Sequence, residues 1–533
     1  MPRAAASLCL ALAALACGAE ASPWLAGAVA PARRASAEAT AAVEADAAPP
    51  PRLAGASLRL HDPGDLAAYD DPGSIDDLDL ALSTIDRVDL AALDQAPEDP
   101  CVGLDLRALA ERLTGLRRLR ISGCQEAIHA GLDAFTGLEA LELADLTLDG
   151  VTMGRLLALP RLRALTLTRV TPGGESLGIL RSLAIERLAL RELAVDSPLV
   201  QLITHLPRLA ALEIVGGWAA HKTMLAVAQA SRLRELALRD TQVGNFSLNQ
   251  VKGLAHLESI DLRGSTFNDN TPLFLRELPL REFTCACPSL GDNGLRALRR
   301  VRTLQRVALL QSRLTGAGVE ALAELPDLKA LTVDGRDVGP QGLAALAKIP
   351  ALRELELRPS EPADPSLAGL GALVELRRLT LGSDDFGDAI AGQLAPLHAL
   401  ERLDLGGTAI SDQSLGALVG MSDLRELILH HTRVTNRGLA HLSGLRHLEV
   451  LELDHTDVVD AGVDHLKDLP ELRELRLDAT LVTDRAIDAL LTLQKLERLN
   501  LAGTVITREG AARLRALPQL RAVNLAGTRA AGP

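Results

Sequence analysis

Rings are scarce in this chain of 533 residues: Phe, Trp and Tyr together make up 2% of it, with a single tyrosine. An irregular globular core of this length normally uses rings to fill awkward space. Their scarcity argues against one large enzyme core and for a small aliphatic unit repeated many times, with Leu, Val, Ile and Ala as its filling. Exposed rings to stack on sugars are equally few, which disfavours carbohydrate recognition as a primary role. The six cysteines are too few for a disulfide-dense scaffold. No Cys-x-x-Cys or His-Glu-x-x-His occurs, so the signature zinc motifs are absent. No catalytic residue, cofactor or metal is assigned.

Charge is unevenly spread. Of the formal net charge of −13, about −11 falls between His61 and Pro100, where roughly twelve acids face Arg87 alone. The remainder is close to neutral, which excludes the broad basic footprint expected for nucleic-acid binding.

At the N-terminus, Arg3 precedes an apolar run from Ala4 to Ala16 of signal-peptide rather than transmembrane length. Ala19-Glu20-Ala21 before Ser22 fits small-x-small cleavage. Leu15-Ala16-Cys17-Gly18 offers a competing end that resembles a bacterial lipobox, with Ala14 where that motif usually has Leu. Export to a secreted, periplasmic or lipid-anchored location is the expectation; free secretion and lipidation at Cys17, the one route to a membrane, both stay open. The Arg-rich, Lys-poor composition is similar to that of a bacterium with a GC-rich genome. Residues 22–56, rich in Ala and Pro, read as a disordered tether.

Self-similarity governs the rest. A Leu-x-Leu pair recurs from Leu119/Ile121 through Leu427/Leu429 to Val523/Leu525, at a period of about 24 residues and roughly eighteen times. Leu58/Leu60 and Val88/Leu90 read as degenerate earlier copies. The clearest unit runs from Leu424 to Leu442: Leu427 and Leu429 alternate as on a strand, and Leu439 and Leu442 take helical spacing after a Thr435/Asn436 cap. The motif L-x-x-L-x-L-x-x-T-x-[IV]-[TS]-[DN]-x-G-L resembles that of the leucine-rich-repeat family, and its style is similar to the repeats of F-box proteins, although no F-box-like domain precedes it. The resemblance implies an α/β solenoid, a horseshoe with a parallel sheet on the concave face and short helices or turns on the convex face. It also implies a non-catalytic platform for a protein partner. The organisation expected is 1–21 signal peptide, 22–56 tether, 57–112 acidic N-terminal cap and 113–533 repeat domain.

Thr408, Thr432, Thr456, Thr480, Thr504 and Thr528 occupy one slot of successive repeats. Inward hydroxyls there can bond the turns beside them, a structural ladder rather than a row of nucleophiles. Cys124 takes the same slot and reads as a buried structural cysteine; a Cys101–Cys124 bridge stays open. Cys285 and Cys287 are expected to be unpaired, since neighbours two apart on a strand rarely meet bridge geometry. Pro288, Arg336, Ser360 and Asp384 replace the threonine, and Leu188 to Leu209 departs from the pattern, so bends or loops are expected there. Gly216 to Thr223 falls one glycine short of a phosphate loop, with His221 in that place, and reads as an outer turn carrying Trp218. Asp385-Phe386-Gly387 lacks every companion motif of a kinase. Asn245-Phe246-Ser247 is a glycosylation sequon that matters only in a host that glycosylates.

By strand alternation, residues flanking the Leu pairs face out from the sheet. The candidate partner-binding residues are Arg378, Arg402, Glu426, His430, Glu452, Asp454, Glu474, Arg476 and Asp478. Their acids suit a partner with a basic surface, and reversing Glu452 and Asp454 to Lys is expected to weaken binding without unfolding the solenoid. Stacking at about 4.8 Å puts His430, Asp454 and Asp478 in one column and His431 and His455 in the next. Such a set can hold a divalent metal or titrate near about pH 6. Against this stands the ordinary solvated polar face, and no metal is assigned.

Overall fold

The computed structural model describes residues 57–60, 87–90 and 105–530, apart from short stretches at 175–176, 194–196, 217–220, 242, 266, 312–313, 334–337 and 359–366. The signal segment, Cys17, the tether, most of the acidic region, Cys101, Trp218, Arg336 and Ser360 lie outside the described residues.

Among the described residues, twenty strands form one parallel sheet. Each strand pairs with the next in chain order. Ser57–Leu60 joins Arg87–Leu90, which joins Arg118–Ser122, and the sheet then continues strand by strand to Ala522–Asn524. The register is that of the Leu pairs: Leu403 lies opposite Leu427, Leu427 opposite Leu451 and Leu451 opposite Leu475. The degenerate pairs at 58/60 and 88/90 thus lie in the same sheet. So does Arg187–Arg191, which pairs on both sides without interruption where the sequence pattern loosens.

Between strands the chain crosses to the other side through one short helix or two. In the clearest repeat these are Asn436–Leu439 and the 3₁₀ turn Ala440–Gly444. Leu427, Leu429, Leu439, Leu442, Leu445 and Leu448 are all buried, so each repeat contributes leucines from both layers to one continuous core. Strands pair at about 4.8 Å, whereas packed helices need roughly 8–10 Å, so the sheet lines the inner, concave side.

The [TS]-[DN]-x-G stretch joins neighbouring repeats. Asp412 accepts the backbone N–H of Thr435, 23 residues on, at 2.7 Å, and its other oxygen accepts the Thr435 hydroxyl at 2.7 Å. The same hydroxyl accepts from Arg437 N and caps that helix. Asp388 serves Ser411, Asp460 serves Thr483 and Asp484 serves Thr507 in the same way, and Asn436 accepts the backbone N–H of Val459. The motif glycine makes room for this bond: a Cβ on Gly438 would lie 2.5 Å from Asp412 Oδ1, and one on Gly462 2.5 Å from Asn436 Oδ1.

The threonine slot is buried as expected, but its bonds stay inside one repeat. Thr408, Thr432, Thr456, Thr480 and Thr504 each donate to the carbonyl three residues back, at 2.6 to 2.7 Å, not to the turns beside them. In earlier repeats, the Thr241 and Ser265 hydroxyls in this slot meet across repeats at 3.1 Å.

From Arg377 onward, one edge of the sheet carries an alternating row of charge. Arg377, Glu401, Arg425, Glu449, Arg473, Glu497 and Arg521 are joined N–H to carbonyl from each repeat to the next. Their side chains pair along the row: Arg377 with Glu401, Arg425 with Glu449 at 2.6 Å, Arg473 with Glu497 at 2.8 Å and Arg521 with Glu497 at 3.1 Å.

The acid side of the stability profile follows from the carboxylates that join repeats. The guanidinium of Arg169 holds the Asp145 carboxyl below the usual carboxylate range. Burial would raise Asp388, but hydrogen bonds from Ser411 and Ser414 outweigh it and the net shift is downward. Asp261 is likewise lowered against its burial, by Arg263 and Arg239. The folded values lie below the unfolded value of about 3.9, so the unfolded chain takes up protons first as pH falls. Through these carboxylates the urea midpoint is expected to fall below about pH 4; a midpoint that rises as pH drops below that value contradicts this.

Candidate interaction face

The strand register sorts the outward side chains into columns. Asp404, Ile428, Glu452, Arg476 and Asn500 lie opposite one another in successive strands. The ladder then runs on past the strand ends: His431 N donates to Asp454 O at 3.0 Å, His455 N to Asp478 O at 3.0 Å and Ala479 N to Ala502 O at 2.8 Å. This aligns His430, Asp454 and Asp478 as the spacing predicts, with Gly406 before them and Ala502 after.

Two adjoining stretches result. In the first, Thr332, Glu354, Glu356, Arg378, Arg402 and Glu426 line a shallow pocket of about 270 Å³ on the sheet face. Arg378 approaches Glu354 at 3.7 Å, and Arg402 is ion-paired with Glu426. In the second, Arg476 sits among three carboxylates, 3.5 Å from Glu452, 3.6 Å from Asp454 and 3.5 Å from Asp478. Glu474 pairs instead with Arg498, in the neighbouring column.

Depth is what alternation alone does not convey. Asp454 is only 5% exposed and Ile428 likewise 5%, although both face out from the sheet. Neighbouring long side chains close over them: Arg476 reaches toward Asp454, and the His430 ring lies over Gly406, where a Cβ would meet Nε2 at 2.4 Å. Asp454 therefore cannot be presented to a partner as a free carboxylate. Burial pushes Glu452 up despite Arg476. Burial, with the rings of His455 and His430 nearby, pushes His431 down. The His431 and His455 rings stack with centroids 4.1 Å apart, and His430 meets His431 edge-on at 5.7 Å. Both stacked histidines hold left-handed backbone, φ 53° and 55°, where the equivalent turns have Gly407 and Gly503.

The remaining sequence features resolve into structure. Thr223 is buried in the helix His221–Gln229, and Phe386 is a core residue. The Asn245 amide is held between Asn268 and Thr271 at 2.7 Å each. Cys124 is buried, as read, and disulfide-bonded. The expectation for Cys285 and Cys287 is overturned, because they form a disulfide. Their Cα atoms are 5.4 Å apart, closer than the roughly 6.6 Å of two residues in extended strand. The strand ends at Ala286, and the turn there brings Cys287 back within bridging range.

Residues 339–531 match the family described as "Leucine-rich repeat region". No curated protein matches the chain. Among solved structures, an internalin, InlF, of Listeria monocytogenes is similar at 16% identity over 73% of this chain and 88% of its own, with a TM-score of 0.28. A leucine-rich-repeat protein of Leptospira interrogans is similar at 17% identity over 74% and 91%, with a TM-score of 0.34. No described helix is long and apolar enough to cross a membrane. The family match thus falls on the later repeats, residues 339–531, as leucine-rich repeats, and the same strand register runs on through the described residues from Arg118 to Asn524.

Proposed function

We propose that the chain is an exported, non-catalytic scaffold that binds a protein partner through its sheet face between Arg378 and Asp478. The observation that carries this reading is the pocket of about 270 Å³ bounded by Arg378, Arg402 and Glu426, which opens beside a patch where acids outnumber cations. A basic segment crossing this face meets Glu426 first and the Glu452 and Asp478 carboxylates beside Arg476 next. The threonine hydroxyls do not act as nucleophiles in this reading, since each is committed to a carbonyl. Export rests on the N-terminal run and its two candidate ends. Sequencing the N-terminus of the chain recovered from cells separates cleavage before Ser22 from lipidation at Cys17.

The test of binding is a charge swap that keeps the fold. Arg402→Glu with Glu426→Arg preserves both the ion pair and the net charge while inverting the face locally. On a peptide array the mature chain is expected to retain basic peptides, and the swapped chain to lose them by about tenfold or more. Retention unchanged by the swap moves the site elsewhere. Selective retention on a glycan array instead favours cell-wall carbohydrate recognition.

A further inference from the structure

We propose that His430, His431 and Asp454, with His455 and Asp478 alongside, form a site for one divalent transition-metal ion of the zinc type. Two overlapping sets of donors share Asp454: His430, His431 and Asp454 in one, and Asp454, His455 and Asp478 in the other, with the ligand atoms of each set within 4.8 Å of one another. Tetrahedral zinc with bonds of about 2.0–2.1 Å needs its donors about 3.3 Å apart. Rotation of the exposed His431 and His455 side chains supplies the closure.

An independent observation points to a ligand. Asp454 is 5% exposed, and its Oδ1 is fully buried with no hydrogen-bond partner, since Arg476 stands off at 3.6 Å. His430 Nδ1 is also fully buried and makes no hydrogen bond. Buried polar atoms are ordinarily satisfied, and these two belong to adjacent members of one donor column. A metal bond satisfies both. The local charge agrees with a divalent ion: Glu452, Asp454 and Asp478 carry three negative charges against one on Arg476, a surplus of about two. When Asp454 turns to a metal, Arg476 keeps Glu452 and Asp478. Asn500 donates to Asp478 Oδ1 at 2.6 Å and fixes that carboxylate from outside.

The donor set selects the class of ion. Imidazole nitrogens suit zinc, nickel and copper, whereas magnesium and calcium require all-oxygen shells. The site is local, because Gly406 and Ala502 end the column on either side with no donor. It shares the face proposed for the partner, but metal binding is read without a partner present, so its failure and the failure of the proposed function are distinguishable.

Calorimetric titration of the full chain, stripped with a chelator and exchanged into plain buffer, is expected to show one Zn²⁺ per chain and no heat with Mg²⁺. Cobalt(II) should develop the visible absorption of nitrogen and oxygen ligation. Affinity for Zn²⁺ should fall at least about tenfold in Asp454→Asn and in His431→Ala, and stay unchanged in His447→Ala, an exposed histidine of the same repeat. His431 is exposed, so its variant decides the matter even if Asp454→Asn loses its fold, which circular dichroism reports. Absence of heat at about ten micromolar, or an affinity indifferent to His431→Ala, overturns the proposal.

Discussion

Asp454→Lys is expected to destabilise the later repeats by about 3–5 kcal/mol, the cost of leaving buried charge without its partner. The carboxylate is 5% exposed and lies 3.6 Å from Arg476 Nε, so lysine would bring a second cation to a guanidinium that burial already confines. Asp457→Lys, at an exposed position three residues on, should change stability by no more than about 0.5 kcal/mol. Urea unfolding followed by circular dichroism compares the two. Equal midpoints would mean that Asp454 is not buried in solution. The reversal of Glu452 and Asp454 suggested by strand alternation therefore perturbs the fold as well as the face, and the Arg402/Glu426 swap replaces it as a probe of binding.

Gly438→Ala should cost about 2–4 kcal/mol, more than the roughly 1 kcal/mol scale on which helix propensity would favour alanine. The added Cβ falls 2.5 Å from Asp412 Oδ1 and 2.8 Å from Leu415 Cδ1, while Asp412 is held to both the backbone and the hydroxyl of Thr435. Something must shift, and the acid is the tethered end. Asp412→Ala by itself should cost about 1–3 kcal/mol by leaving Thr435 N–H without its acceptor. Because the two changes act on one bond, the double variant should be less unstable than their sum by at least about 1 kcal/mol. Strict additivity in urea midpoints would show that the glycine serves some other purpose.

Most of the fold was legible because each repeat spells out its own layer. The alternation of Leu427 and Leu429 marks a strand, the spacing of Leu439 and Leu442 marks the other side, and identical register in every copy leaves parallel stacking as the solution. What escaped is what depends on two repeats at once. The roles of Asp412 and Gly438 follow from a neighbour 23 to 26 residues away, so within one copy of the motif they read only as a helix cap. The burial of Asp454 depends on an adjacent turn, from which Arg476 reaches toward it. The Cys285–Cys287 bridge needed the point where the strand stops, a boundary that periodicity places only to within a residue or two. The sequence did align the histidines and acids correctly, because equal spacing on a parallel sheet is enough to do so.

The alternating row from Arg377 to Arg521 makes the pair of repeats, not the single repeat, the unit in which this array can change length. Excision of one repeat would set Arg beside Arg or Glu beside Glu at the junction. Removal of two, the span from Glu401 to the residue before Glu449, would set Arg377 beside Glu449 and leave the alternation intact. Length changes confined to the stretch between Arg377 and Arg521 should therefore come in multiples of about 48 residues, twice the basic period. A cut-and-join at odd multiples would carry a seam of repulsion along one edge of the sheet.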